Sequence, residues 1–205
     1  SPLYCPYFFI VRTQKVEDGR YVLYDTESME KTGAVKDFVE KVVNGECGYT
    51  MVSEADIEEA EEVQLKRLVA TTFWDRLNQS HASFVMIFAD WCHHCHELMP
   101  VIQGISEGLF GSGIDVYLFN GGRNDNPPNL TEYSGYPTLY LYPKGSTKEI
   151  VYDGTREVPE IIEFLRENAG LGESFPQVDI ESIEKRIAAI RFEEFAEDNT
   201  EHAVG

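Results

Sequence analysis

Two cysteines, Cys92 and Cys95, stand three positions apart where a run of apolar residues gives way to a helix-patterned segment. The stretch reads Cys92-His93-His94-Cys95-His96. At the first turn of a helix, unpaired backbone N–H groups and the positive end of the helix dipole favour a thiolate. Protonated His93 and His94 would favour it further, and Cys95 is placed to displace a mixed disulfide formed at Cys92. Thiol–disulfide exchange is therefore the leading chemistry. Two other readings stay open on these residues alone. Thiolates and imidazoles can hold zinc, although structural zinc sites draw ligands from two separated knuckles and no second Cys/His cluster exists. A structural disulfide is also available, but its tiny loop would add little stability. The expectation is a redox-active Cys92–Cys95 pair with no metal and no cofactor.

The flanking elements follow from periodicity. Residues 83–89 form a near-continuous apolar run, as in a strand buried on both faces. From Cys92 to about Phe110, Cys95, Leu98, Met99, Ile102, Ile105 and Leu109 make a helical stripe interrupted by Pro100, which predicts a kinked helix. Residues 63–69 alternate as a strand and lead into a short helix through Leu77, with Thr71 or Thr72 as its cap. Residues 114–119 read as a strand, and 120–128 as loop. A short helix is expected around 129–133. Residues 138–142 and 149–152 flank Pro143-Lys144-Gly145-Ser146 as a hairpin, and residues 158–168 form a last helix closed by Gly170. Strands alternating with helices and then a hairpin predict an α/β chain with a mixed central sheet and helices on both faces.

Charge narrows the partners. Across 205 residues, 36 acidic side chains outweigh 17 basic ones, a net charge of -19. Such a field repels phosphate backbones and anionic membrane surfaces, so no nucleic-acid partner is expected. No run approaches the length of a spanning helix, so no membrane insertion is expected, and the first residues show no signal-peptide pattern. Acid concentrates at Glu54, Asp56, Glu58, Glu59, Glu61 and Glu62 and again beyond residue 171. These stretches read as solvated surface and linker, with loose calcium binding as the alternative. In the last segment Ile180, Ile183, Ile187, Ile190 and Phe195 share one helical face. That stripe could pack on the domain or meet a partner. Two sequons, at Asn78 and Asn129, fit a secretory chain, and the C-terminus carries no KDEL-type signal.

The motif Phe88-Ala89-Asp90-Trp91-Cys92-His93-His94-Cys95, with Gly135-Tyr136-Pro137-Thr138 and residues 152–157 downstream, resembles a catalytic thioredoxin domain of the protein disulfide isomerase family over about residues 63–170. The resemblance implies a thioredoxin fold and an endoplasmic-reticulum lumen residence. It implies Cys92 as nucleophile, Cys95 as resolving thiol, and His94, at the family's histidine position, as their electrostatic support. It also implies a cis Pro137 that, with Trp91 and Tyr136, receives an extended substrate strand, and an Arg156 that assists Cys95; a plain surface arginine is the alternative reading of Arg156. Partners would be unfolded or disulfide-bonded proteins, with glutathione or an upstream thiol oxidase as the redox source. Upstream, residues 1–50 resemble the second half of a non-catalytic thioredoxin-like domain, with a hairpin and a helix over 32–43. Residues 51–62 then read as an acidic linker and 171–205 as an acidic helical extension. The family pattern would have the natural chain continue toward the N-terminus. Cys5 and Cys47 read as unpaired thiols more readily than as a bridge.

Departures from the family bear on activity. Its buried glutamate corresponds to Met86, and its partner lysine to a position near Phe119. The glutamate is thought to take the proton of the second thiol, so its loss predicts slow resolution at Cys95. His93 stands where the family has glycine. Asp90 stands where proline is common, and would either oppose a Cys92 thiolate or keep His93 protonated. A redox-slow chaperone or partner-holding subunit is thus the alternative function.

Overall fold

The computed structural model describes residues 9–11, 20–22, 36, 40, 44, 51–57, 59–60, 62–77 and 80–202. Side chains at positions 9–11, 20–22, 194 and 196–202 are outside the description, as are Cys5, Cys47, Asn78 and most of the helix expected over 32–43. The chain divides into two units. In the first, β1 (Phe9–Val11) pairs antiparallel with β2 (Arg20–Val22), Phe9 lying opposite Val22, in keeping with the expected hairpin.

The second unit carries the site. Its elements in chain order are β3 (Leu65–Leu68), α1 (Phe73–Arg76), β4 (Ala82–Phe88), α2 (His93–Gly108), β5 (Ile114–Asn120), β6 (Thr138–Tyr142), β7 (Ile150–Tyr152), α3 (Val158–Asn168) and α4 (Ile180–His202). The sheet order is β3-β5-β4-β6-β7. The first three strands run parallel, while β6 is antiparallel to both β4 and β7. β4 lies at the centre and is buried almost throughout, which accounts for its unbroken apolar sequence.

Alternation divides the core. Phe84, Met86, Val116, Leu118, Leu139 and Leu141 join a cluster with Leu98, Ile102 and Ile105 of α2, Ile161 and Leu165 of α3, and Ile183 and Ile187 of α4. Residues of opposite parity on the same strands, among them Phe119 and Tyr142, turn to the other face, where Phe73 and Trp74 pack edge-on. Helices therefore cover both faces, and among the described residues the second face carries the single turn of α1. Thr72 occupies the N-cap position of α1 without a side-chain cap bond, so the expected cap is not made.

Two sequence readings change. No helix forms over 129–133. Asn129 adopts a left-handed backbone (φ 66°) after Pro127-Pro128, and Leu130 N–H closes a turn on Pro127 O. The strand partner of Met86 is also one residue off. Met86 pairs with Leu118 on the same face, whereas Phe119 pairs with Ile87 and packs against Phe73. A shift of one residue in a strand moves a side chain to the opposite face. Met86 and Leu118 meet as ordinary apolar core, where a carboxylate without its ammonium would be costly.

The C-terminal helix is part of this unit. Asp179 Oδ1 caps α4 by accepting from Ser182 N–H (3.1 Å). Ile183, Ile187 and Ile190 are buried, while Phe195 is exposed, so the expected stripe divides. The approach to α2 is close because Gly104 and Gly108 lack side chains. A Cβ on Gly104 would lie 2.6 Å from Ile187 Cγ1, and one on Gly108 would lie 2.5 Å from Ile183 Cγ1. Arg186 reinforces the crossing with two bonds to Glu107, at 2.7 and 3.3 Å.

The acidic segment ahead of β3 is also engaged. Glu54 N–H and Ala70 N–H both donate to Asn124 Oδ1, Asn124 Nδ2 donates back to Glu54, and Arg76 binds Asp56 at 2.8 Å. Glu59 accepts the Arg67 N–H on β3.

Candidate functional site

β4 runs out at Phe88 and the chain turns through Ala89 and Asp90 into α2, so the helix starts beside the C-terminal end of the central strand. Cys92 N–H donates to Ala89 O (3.0 Å), which shapes the turn. Cys92 is the N-cap of α2, one position earlier than a first-turn residue, and its Sγ accepts from Cys95 N–H at 3.1 Å. The two cysteines are joined in a disulfide, with a Cα–Cα distance of 5.2 Å. Both cysteines are buried, Cys92 at 5% exposure slightly less so than Cys95 at 1%.

One flank of the disulfide is aromatic. Trp91 is 77% exposed and packs edge-on against Tyr136 (5.5 Å), which in turn meets Tyr133 (5.6 Å). The Tyr136-Pro137 peptide is cis. Tyr133 and Tyr136 hydroxyls converge over Gly121 at the end of β5, where a Cβ would lie 2.8 Å from the Tyr136 oxygen and collide with that of Tyr133. Burial, helped by the hydrogen bond to Tyr136, pushes the Tyr133 phenol well above its usual value. A glycine at 121 therefore lets two tyrosines clasp the loop that carries Pro137.

The other flank is ionic. Glu97, one turn into α2, hydrogen-bonds one of the intervening histidines and lies within ion-pair reach of the other. His94 Nδ1 donates to its Oε2 at 3.0 Å, and His93 Nε2 lies 3.5 Å from its Oε1. The His94 hydrogen bond holds the Glu97 carboxyl below the ordinary range against an opposing desolvation, with lesser help from the charges of His93, His94 and Arg156. Arg156 is exposed ahead of α3 and borders a cleft that also includes Glu97, Leu98, Glu184 and Ile187. Sequence reading passed over Glu97, although its i, i+4 and i, i+3 spacing from His93 and His94 was a usable signal.

Asp90 does not face the disulfide chemistry in the way its position suggests. Its carboxylate accepts from Asn120 Nδ2 (2.9 Å) and Arg123 Nε, and Arg123 also reaches Glu54. The carboxylate that partners His93 is Glu97, not Asp90. His96 turns away from its neighbours to donate to Asp90 O at 2.7 Å. The structure thus brings His93 and His94 together on the ionic side of the pair, and Trp91, Tyr136 and Pro137 on the aromatic side.

The thioredoxin family model matches residues 64–167, about half of the chain. The chain is 27% identical over 137 residues to protein disulfide-isomerase of Saccharomyces cerevisiae, a match covering 66% of this chain and 26% of that protein. It is 33% identical over 120 residues to protein disulfide-isomerase of Medicago sativa, covering 57% and 23%. A crystal structure of the J-Trx1 fragment of ERdj5 aligns with a TM-score of 0.44 and 20% identity over 51% of each chain. The chain spans about a quarter of the length of the two curated relatives. Five strands in mixed order, a Cys-x-x-Cys at the start of α2 and the match over residues 64–167 place this chain in the thioredoxin family, with Cys92–Cys95 as its dithiol/disulfide pair.

Proposed function

We propose that the chain is a thiol–disulfide oxidoreductase of the protein disulfide isomerase type, which forms, reduces or rearranges disulfides in proteins of the secretory pathway. The observation that carries this reading is the Cys92–Cys95 disulfide at the N-cap of α2, flanked by the exposed Trp91 and by two histidines. The Cys92 thiolate attacks a substrate disulfide. A Cys92–substrate S–S bond forms, the substrate S–S bond breaks, and one substrate sulfur leaves and takes up a proton. Cys95, once deprotonated, attacks Cys92 Sγ and releases the second substrate sulfur, so the substrate gains the two electrons that the pair loses. The reverse sequence donates a disulfide. Trp91, Tyr136 and the backbone beside Pro137 would seat an extended, disulfide-bonded or unfolded chain. Glutathione or an upstream thiol oxidase would reset the pair. Similarity to protein disulfide isomerases supports a place in the lumen of the endoplasmic reticulum, an oxidising compartment suited to this chemistry. On the same similarity, residues 1–50 would belong to a preceding thioredoxin-like domain.

The test is turnover of a disulfide-bonded peptide in glutathione buffer, with mixed disulfides trapped by acid quench. Cys92→Ser is expected to abolish turnover; full activity in that variant would overturn the reading. A second reading, a slow partner-holding protein, is favoured by Met86 and Leu118, apolar and paired across the strands behind the site. It expects aggregation suppression that survives Cys92→Ser, with Cys92 mixed disulfide accumulating in the wild type.

A further inference from the structure

Glu97 accepts a hydrogen bond from Nδ1 of His94 at 3.0 Å and has Nε2 of His93 within ion-pair reach at 3.5 Å, opposite nitrogens of the two rings. An imidazole anchored to a carboxylate through one nitrogen has its tautomer and orientation set, and its other nitrogen is left to exchange protons. We infer that Glu97 is a positioning residue of the exchange site, holding His94 and His93 so that their remaining ring nitrogens serve proton traffic at Cys92. This rests on the reading of Cys92 as the exchanging thiol. In the step, the Cys92 thiol gives its proton to a ring nitrogen and the resulting imidazolium is held by Glu97. The Cys92–substrate S–S bond forms as the substrate bond breaks, and the proton passes to the departing sulfur.

The surroundings fit that assignment. On α2, Glu97 meets His93 and His94; from the segment before α3, Arg156 adds a positive charge that helps keep the carboxylate ionised, and no hydrogen bond or ion pair joins Arg156 to another group among the described residues. Glu157, Glu184 and Arg191 complete the charged lining of the adjoining cleft. Asp90, the other nearby carboxylate, is taken by Asn120 and Arg123. Glu97 is thus the carboxylate that meets the intervening histidines, bonded to His94 and facing His93. An exposed ion pair of this kind contributes little to folding, so a purely structural role would leave both chemistry and stability almost unchanged on removal.

The experiment uses the full chain and compares wild type, Glu97→Ala and Glu97→Gln. It measures the rate at which reduced protein forms a mixed disulfide with a disulfide peptide from pH 5 to 8, the thiolate titration by absorbance at 240 nm, and the melting temperature. Glu97→Ala is expected to slow the reaction about tenfold at pH 7, less than the loss of a full acid–base group. It should move the thiolate titration to higher pH without shifting melting, and Glu97→Gln should move it the same way. An unchanged rate profile in Glu97→Ala would overturn the inference, as would a thiolate titration moved to lower pH, which would make Glu97 only a repelling charge. A wild type without Cys92-dependent exchange would defeat the underlying reading instead, and the thiolate titration would still decide the role of Glu97.

Discussion

The two ends of α2 are built to opposite specifications. At its N-terminal turn, His93, His94, His96 and Glu97 are exposed and bonded to one another or to the preceding loop. Past Pro100, Val101, Ile102 and Ile105 are buried, and Gly104 and Gly108 bring α4 against the backbone. Side chains that must exchange protons need water and adjustable neighbours, whereas the helix can aim them only if its other end does not move. The contrast assigns chemistry to one turn and anchoring to the rest, and each half can be perturbed separately.

The largest effect is expected beneath the chemical end. Met86→Glu places a carboxylate in fully apolar core and should cost about 3–5 kcal/mol in denaturant unfolding, as an unpaired buried charge does. Adding Leu118→Lys should recover part of that loss, because the two positions pair on one face; adding Phe119→Lys should not, because Phe119 lies on the other. Recovery through 119 rather than 118 would contradict the register. At the anchoring end, Gly108→Val forces a branched side chain onto Ile183 and should destabilise by about 1–3 kcal/mol. Combined with Ile183→Ala, the total should fall short of the sum of the two single losses, and strict additivity would count against the close crossing. The smallest effect belongs to Glu97. Its carboxyl is held below the ordinary range, so its stabilisation is present above the usual carboxylate pKa and is lost as pH falls through the lower folded value. The group is fully exposed, so that stabilisation is slight: Glu97→Gln should leave melting almost unchanged at pH 7, and any small gap from the wild type should close as the pH is lowered from 6 to 3.

Legibility followed the range of the interaction. The strands around 83–89 and 114–119, the hairpin, the α3 segment and the Cys-x-x-Cys at a helix start were readable because each is written in local periodicity. A mixed sheet with helices on both faces followed from the alternation of elements, and the thioredoxin fold from the resemblance of the motif around Cys92. The pairing of Met86 with Leu118 was missed by one residue, since register depends on the partner strand rather than on either sequence alone. The helix expected over 129–133 failed at Asn129, where a left-handed residue closes a turn. Glu97 was within reach, because its partners are on the same helix. Glu59 and Asp56 were not: their partners on β3 and α1 are brought near only by folding.

That last contact bears on how the molecule behaves toward its own kind. β3 is an outer strand of the sheet, and such a strand offers its backbone to any passing chain. Here Glu59 occupies the Arg67 amide, and a carboxylate brought to that edge also carries negative charge toward any approaching copy. Glu59 thus fills one backbone donor of the outer strand and sets a negative charge beside it, both of which disfavour strand addition by another chain.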